Sequence, residues 1–254
     1  SLKAPNQYSL WTGAKMEYVF DSSKELATNL WHGSKLKIFA EYNQKIAKQH
    51  DNLIVLGFDF RKSVHLFRNM TWATRLAAST NFGVSRLVYF MGGVDNWIAP
   101  KFNSTIWVDQ TKNYQYQTLA TNMRGFSQNT RNGTSFALLS TELRMPVVQL
   151  VTGKKISRPF FNSIQLIAFA DLGTAWTGLT PYSEENCLYT RYIDSGNIHA
   201  VVKRQVDPWI IGVGAGLRAS LLGYFLRFDY AWGIENFQVA DKKGMFLFSI
   251  GTDF

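Results

Sequence analysis

The sequence contains one cysteine, few charged residues and no long hydrophobic run. A lone cysteine, Cys187, excludes a disulfide bond within the chain. A membrane-spanning helix needs about 18–20 consecutive apolar residues, and no stretch of this sequence approaches that length. Only helices and closed β-barrels satisfy every backbone group in lipid. A membrane-spanning form of this chain must therefore be a barrel.

Residue patterns typical of enzymes are also absent. The four histidines, His32, His50, His65 and His199, lack the spacing of metal ligands. Neither a Gly-x-Ser-x-Gly elbow nor a phosphate-binding loop occurs. We therefore predict a protein that is not an enzyme, with no catalytic residues, no metal site and no cofactor.

Positive charges are in excess but scattered along the chain. The net charge of +9 invites a nucleic-acid interpretation, yet no run of five basic residues appears. We predict no nucleic-acid partner. Exposed lysines and arginines can instead pair with the phosphates of lipopolysaccharide, while an ordinary soluble surface explains any single lysine equally well.

The sequence is rich in aromatic residues, and its apolar residues alternate with small or polar ones at a period of two. Phe246, Phe248, Ile250, Thr252 and Phe254 fall on one face of a predicted C-terminal strand. Apolar residues facing out, with small or charged residues facing in, suit a lipid-embedded barrel with a wet lumen. A soluble β-sandwich would alternate too, but the density of aromatic residues favours the barrel.

The same alternation predicts nine strands and a further short one at 86–90. The nine lie near residues 13–21, 34–43, 52–62, 70–81, 134–145, 162–173, 209–217, 224–232 and 244–254. The inward phase carries the charged residues Lys15, Glu17, Lys35, Lys37, Glu41, Asp59, Arg61, Arg75, Glu142, Arg144 and Asp171.

The predicted connections alternate in length. Gly223 lies in a short turn, whereas residues 82–133 and 174–208 are long and polar. Outer-membrane barrels have short periplasmic turns and longer extracellular loops, a scheme that the connection at 146–161 fits least well.

These patterns predict an all-β fold, an antiparallel transmembrane β-barrel that occupies the whole of residues 1–254. Nine is an odd number, and an open sheet of nine strands leaves two bare edges in lipid. We therefore expect further strands upstream of this sequence. Residues 1–6 lack the pattern of a signal peptide, so either a signal was removed or the sequence is a fragment.

A series of short motifs points to a particular kind of barrel. They are Tyr-Phe-Met-Gly-Gly at 89–93, Met-Arg-Gly-Phe at 123–126, Thr-Glu-Leu-Arg-Met-Pro at 141–146, Phe-Ala-Asp-Leu-Gly-Thr-Ala-Trp at 169–176 and the glycine-rich and aromatic strands that end in Phe254. In order and spacing, the chain resembles the Bam/Tam-type outer-membrane protein insertase superfamily, the bacterial surface antigen family. The resemblance implies the C-terminal nine strands of a sixteen-stranded barrel in the bacterial outer membrane.

The resemblance also implies a place for the Arg-Gly-Phe motif. In the family, this loop (residues 123–133 here) folds into the lumen, and its arginine packs beside acidic residues of the next two strands. The matching residues are Arg124, Glu142 and Asp171. The planar guanidinium group stays charged and can engage two carboxylates. The alternative is a loop arginine that remains in solvent and pairs with nothing.

The resemblance adds neighbours to this arginine. Gly125 would allow a tight or positive-φ backbone at the loop tip. Phe126 and Phe169 would form an apolar clamp beside the ion pair, and Gly173 completes the expected lumen cluster.

Two features depart from the family pattern. Residues 94–122 form a long insertion, for which an external cap or plug and a plain surface loop are equally good interpretations. Members of the family end in an aromatic residue after alternating apolar positions, and Phe246, Phe248, Ile250 and Phe254 supply this signal. The polar-then-glycine element that precedes it is matched only in part, by Lys243 and Gly244.

The function that the resemblance implies is insertion or translocation of polypeptides at the outer membrane. Its partners would be outer-membrane lipids, lipopolysaccharide, client polypeptides and other envelope proteins. In the family, the first and last strands meet at a weak seam that offers an edge to a client strand. Two alternatives remain at this point: a barrel that anchors an upstream enzymatic or binding domain, and a simple diffusion porin.

Overall fold

The computed structural model describes residues 10–27, 30–46, 51–67, 70–108, 114–153, 159–195, 198–221 and 223–251. The strands in this part of the chain are β1 (Trp11–Asp21), β2 (Lys24–Ala27), β3 (Leu30–Lys45), β4 (Asn52–His65), β5 (Thr71–Gly83), β6 (Arg86–Met91), β7 (Tyr114–Leu119), β8 (Arg131–Gly133), β9 (Ser135–Pro146), β10 (Gln165–Trp176), β11 (Leu188–Ser195), β12 (Ile198–Gln205), β13 (Ile210–Leu221), β14 (Tyr224–Glu235), β15 (Gln238–Val239) and β16 (Met245–Gly251). The helices are α1 (Val147–Thr152), α2 (Pro159–Asn162) and α3 (Glu184–Cys187).

One large antiparallel sheet organises the chain. Its strand order is β1-β3-β4-β5-β9-β10-β13-β14, after which β14 pairs with both β16 and the short β15. The short β2 pairs with β3. Within the described residues the sheet is not closed into a barrel, because β1 and β16 do not pair with each other.

The prediction of an all-β antiparallel sheet is confirmed. The nine long strands of the large sheet coincide with the nine predicted segments to within a few residues, as at 134–145, where β9 spans Ser135–Pro146. The last strand, β16, is shorter than its predicted segment of 244–254, and Phe254 lies outside the described residues.

Two adjacent rows of cross-strand partners show that the sheet has two chemically different faces. One row is polar or glycine throughout and comprises Asp21, Lys35, Arg61, Arg75, Ser140, Asp171, Gly212 and Gly233. The next row is apolar throughout and comprises Phe20, Leu36, Phe60, Leu76, Leu139, Leu172, Ile211 and Ile234. We call the two sides the polar face and the outer face.

Large apolar side chains are exposed on the outer face, including Met16 at 78% and Trp72 at 53% exposure. A soluble monomer rarely exposes a belt of this kind, whereas the lipid-facing side of a transmembrane barrel consists of one. On the polar face, Asp59 pairs with Arg61 at 2.8 Å and with Arg75 at 2.7 Å. The inward phase read from the sequence therefore corresponds to the polar face.

The connection between residues 174 and 208, predicted as a long polar loop, contains a hairpin. Strands β11 and β12 pair from Leu188↔Gln205 to Ser195↔Ile198. Both segments mix polar residues with the Tyr, Thr, Ile and Val residues that favour strands, so overall polarity was a poor guide here.

The connection between residues 82 and 133 is also more structured than a loop. It holds a small sheet in which β6 pairs in parallel with β7 and antiparallel with β8. Strand β6 is the short strand predicted at 86–90. The connection after β9 contains α1 and α2, and α1 ends at Gly153 with a left-handed backbone. None of the helices in the described ranges is long and apolar enough to span a membrane.

Candidate functional site

Residues 123–126, the MRGF segment, are fastened to the two glycines that follow β6. The Met123 amide donates to the carbonyl of Gly93 at 2.8 Å, and the Gly93 amide donates to the carbonyl of Phe126 at 2.9 Å. Both Gly92 and Gly93 have positive φ, at 119° and 78°, a conformation that favours glycine. This pairing presents Arg124 to the polar face of the large sheet.

Arg124 makes a fork of hydrogen bonds to two carboxylates. Its Nε and Nη2 donate to the two carboxylate oxygens of Asp171 on β10, at 2.7 and 2.6 Å. Its Nη1 donates to Oε1 of Glu142 on β9, at 2.5 Å. All three residues are buried, with exposures of 4%, 3% and 1% for Arg124, Glu142 and Asp171. The structure thus brings together the three charged residues singled out in the sequence.

Neighbouring polar groups complete this network. Ser140 on β9 accepts from Arg124 Nη2 at 3.2 Å, and its hydroxyl donates to Asp171 at 2.6 Å. The second oxygen of Glu142 accepts from Arg144 Nε at 3.0 Å. Glu142 therefore joins two arginines.

The charge of Arg124 is secured by these contacts. Burial by itself lowers the pKa of a guanidinium group, but the adjacent Asp171 and Glu142 carboxylates outweigh it and raise the pKa of Arg124 above its ordinary value. A buried ion pair often adds little net stability compared with apolar packing. What the network provides is one defined position for the MRGF segment on the sheet.

Phe169 on β10 lies directly beneath the guanidinium group. The Arg124 Cζ atom is 3.7 Å from the centre of the Phe169 ring, within the range of a cation–π contact. The ring covers Gly214 on β13, the cross-strand partner of Phe169. A Cβ atom at Gly214 would lie 2.7 Å from the ring, so glycine leaves the space that the phenylalanine fills.

A pair of glycines forms the surface on which the MRGF segment rests. Gly212 on β13 and Gly233 on β14 are cross-strand partners, and we call them the glycine floor. A Cβ atom at Gly212 would lie 2.0 Å from the Arg124 carbonyl oxygen, and one at Gly233 would lie 2.6 Å from that of Gly125. Gly125 itself has φ of +87°, and a Cβ there would lie 2.8 Å from the backbone of β14.

The expected clamp of two phenylalanines is divided between two places. Phe169 belongs to the arginine site, whereas Phe126 is buried in a separate hydrophobic cluster with Met91, Met123 and Ile210. Gly173 adjoins the cluster that contains Phe126, because a Cβ atom at Gly173 would lie 3.2 Å from the Met123 sulfur.

Two further ion pairs on the polar face were not recognised in the sequence. Arg218 on β13 donates to both oxygens of Asp229 on β14, at 2.6 and 3.2 Å. Arg131 on β8 donates to Glu235 at 2.6 Å. The shared inward phase of Arg218 and Asp229 on adjacent strands was a usable signal for the first pair. The second pair depends on how the loop folds.

Of the C-terminal strand signal, Phe246, Phe248 and Ile250 lie on the outer face, and Phe254 lies outside the described residues. Phe246 is 58% exposed, and Phe248 stacks on Phe228 of β14 with ring centres 4.5 Å apart. Ile250 pairs with Leu226 of β14. In the residues that the structure describes, no group of three or more His, Cys, Asp or Glu side chains is placed to hold a metal ion.

Comparison with known proteins agrees with this geometry. A family model described as the Omp85 superfamily domain matches residues 31–254, which is most of the chain. No curated protein matches the sequence. The resemblance to the surface antigen family, stated from the motifs alone, is thereby confirmed: the chain belongs to the Omp85 superfamily.

Proposed function

We propose that this chain is the C-terminal barrel portion of an outer-membrane protein that assists the insertion or translocation of other polypeptides. Omp85 membership implies outer-membrane protein insertion or translocation at a general level, and it points to the bacterial outer membrane. The observation that carries the finer proposal is the anchorage of Arg124 to Glu142 and Asp171 on the polar face.

The two faces of the sheet support a transmembrane barrel, and its unjoined edges support a barrel with more strands than those described. A row of ion pairs and glycines on one side and a row of apolar residues on the other fit a wet lumen and a lipid belt. The described strands leave the edges of β1 and β16 unjoined to each other. Unpaired edges are costly in lipid. We propose that upstream strands close the sheet into a sixteen-stranded barrel.

In this barrel, the loop of residues 123–133 would lie inside the lumen. Arg124, the glycine floor and Phe169 hold its tip against β9, β10, β13 and β14. A loop fixed in one position can brace the wall next to the last strand. The last strand would meet the first upstream strand at a weak seam, and opening of this seam would offer an edge to a client polypeptide by β-augmentation. Lipopolysaccharide and other envelope proteins are the further partners we propose.

The test is a reconstitution of the full-length protein in phospholipid vesicles. The rate at which an unfolded outer-membrane barrel client folds into the vesicles should rise with wild-type protein and fall with Arg124→Lys, which keeps the charge but loses the planar fork. Lys242→Ala, at an exposed position between β15 and β16, is the matched control and should behave as wild type.

The same vesicles separate the alternatives. A simple porin would show large steady single-channel conductance and no effect on client folding. A barrel that only anchors another domain would show neither, and either result would overturn the proposal.

A further inference from the structure

Near the end of the large sheet that carries the long connections, the polar face bears apolar side chains. Leu53 and Val55, at the start of β4, have the same inward phase as Asp59. Leu138, at the start of β9, has the phase of Glu142. All three apolar residues are buried. Side chains that faced a wet lumen would be exposed, so this part of the inner wall is covered.

The cover is the small sheet of β6, β7 and β8, and one hydrophobic cluster joins it to the wall. The wall contributes Leu53, Val55, Ala77, Phe136, Leu138, Ala175 and Ile210. The small sheet and the MRGF segment contribute Leu87, Tyr89, Met91, Met123 and Phe126. The wall residues belong to β4, β5, β9, β10 and β13, so the small sheet lies across the inner wall and not outside the barrel.

Close contacts fix the small sheet to this wall. The Tyr89 hydroxyl of β6 lies 2.8 Å from the Ser79 hydroxyl of β5. A Cβ atom at Gly133 of β8 would lie 2.1 Å from the backbone of Trp176 at the end of β10. Backbone meets backbone at this point, so no layer of water separates the small sheet from the wall there.

The small sheet reaches from one side of the described wall to the other. On one side, Tyr116 of β7 lies within electrostatic reach of Glu41 of β3 and Lys15 of β1. On the other side, Arg131 of β8 donates to Glu235 of β14 at 2.6 Å. Six strands of the large sheet separate β1 from β14. In a closed barrel this wall is curved, and a sheet that contacts both of its ends crosses the lumen.

We propose that the small sheet is a fixed plug at the external end of the lumen, and that the clients are therefore barrels that enter the membrane through the wall. Soluble polypeptides would not pass through this lumen. The plug lies at the end of the large sheet opposite the short turn at Gly223, which is the external end if short turns are periplasmic. This inference rests on the proposed function and names its class of client.

The insertion helps to hold the plug in place. The Gln128 amide donates to the Lys101 carbonyl at 2.8 Å, and the Asn103 amide donates to the Gln128 carbonyl at 2.8 Å. The Asn129 side chain donates to the Asn103 carbonyl at 2.8 Å. The insertion and the loop of residues 123–133 are thus joined into one unit.

Movement of this unit would expose apolar side chains on two surfaces. A polypeptide in transit through the lumen would have to separate the small sheet from the wall, and the hydrophobic effect opposes exposure of both surfaces to water. Opening of the seam beside the last strand requires no such separation. The plug and the proposed insertion of clients at the seam are therefore compatible.

Full-length protein in phospholipid vesicles tests the proposal with two clients. One is an unfolded outer-membrane barrel, whose folding into the vesicle membrane is followed. The other is an unfolded soluble polypeptide, whose entry into the vesicles is scored by protection from added protease. Wild-type protein should speed the folding of the first and leave entry of the second at the level of protein-free vesicles. In planar bilayers, it should show no large steady conductance.

Two variants loosen the plug. Gly133→Val adds a branched side chain where a Cβ atom already meets the Trp176 backbone, and Arg131→Gln removes the ion pair with Glu235. Each should add channel openings that the wild type lacks, while semi-native gels show that the barrel is folded. Ser104→Val, at an exposed position of the insertion, is the matched control and should conduct as the wild type does. If Gly133→Val does not fold, Arg131→Gln decides the question.

The outcomes separate this inference from the proposed function. Entry of the soluble polypeptide with wild-type protein, or a large steady conductance of the wild type, would overturn the inference even if barrel folding is accelerated. Unchanged conductance in every plug variant that folds would also overturn it. If no form of the protein speeds barrel folding, the proposed function fails, while conductance still decides whether the small sheet closes the lumen.

Discussion

The carbonyl oxygen of Arg124 lies directly over Gly212, so close that a Cβ atom at Gly212 would come within 2.0 Å of it. The arginine site therefore depends on a glycine of a different strand as much as on its two carboxylates. Both groups in this contact are backbone, so rotation of a side chain could not make room for a Cβ atom at Gly212.

Gly212→Ala should displace the MRGF segment from β13. Forcing a methyl group into a filled site costs about 1–3 kcal/mol, and the rigid backbone on both sides places this case at the upper end. The temperature at which the folded barrel loses its fast mobility in semi-native gels should fall. Gly153→Ala, where a Cβ would meet no atom within 4 Å, is the control and should show a smaller fall. Equal shifts for both variants would contradict the close approach.

Arg124→Ala should destabilise the folded barrel and loosen the loop of residues 123–133. It leaves Glu142 and Asp171 buried without their partner, which costs about 3–5 kcal/mol for a buried pair. Heat resistance in the gel-shift assay should drop, and protease should cut the loop faster. An unchanged gel shift with unchanged cleavage would contradict the site.

Phe169→Leu should weaken the hold on the guanidinium group. The cation–π contact is worth about 0.5–2 kcal/mol, and a leucine also fills less of the space over Gly214. The cation–π part of the effect should disappear when Arg124 is already alanine, because the partner of the ring is then missing, while the packing part should remain. Thermal unfolding of both single variants and the double variant measures this coupling, and strictly additive effects would argue against a direct contact.

Asp229→Asn should destabilise the barrel by leaving Arg218 buried with a neutral partner. Breaking a buried ion pair costs about 3–5 kcal/mol, and the retained amide oxygen places this substitution towards the low end. Glu17→Gln on β1 is the matched control. Its pairs with Lys15 and Lys37 are solvent-exposed, so no measurable change in thermal stability is expected. A similar loss of thermal stability for both variants would mean that the buried ion pair contributes no more than the exposed ones.

The positions of the long strands followed from the sequence because side chains alternate with period two along a strand. A residue such as Asp171 or Trp72 has to face the side opposite to its chain neighbours, and this assigns the two faces without knowledge of the pairing. The hairpin of β11 and β12 was missed because its polar composition concealed two short strand-forming segments.

Within the site, the motif order indicated Arg124, Glu142 and Asp171, and their inward phase was read independently for the two carboxylates. The division of Phe126 and Phe169 between two clusters did not follow from the sequence. The resemblance implied that Phe126 and Phe169 lie together beside the ion pair, but the loop backbone turns at Gly125 and Phe126 packs in the other cluster.

The sequence by itself determined the all-β sheet, its polar and apolar faces and the family, since each depends on local periodicity and motif order. Only the tertiary structure decided that Gly212 and Gly233 form a floor for the MRGF segment and that Arg131 pairs with Glu235. These contacts join residues far apart in the chain. They depend on strand register and loop path, which alternation along a single strand does not specify.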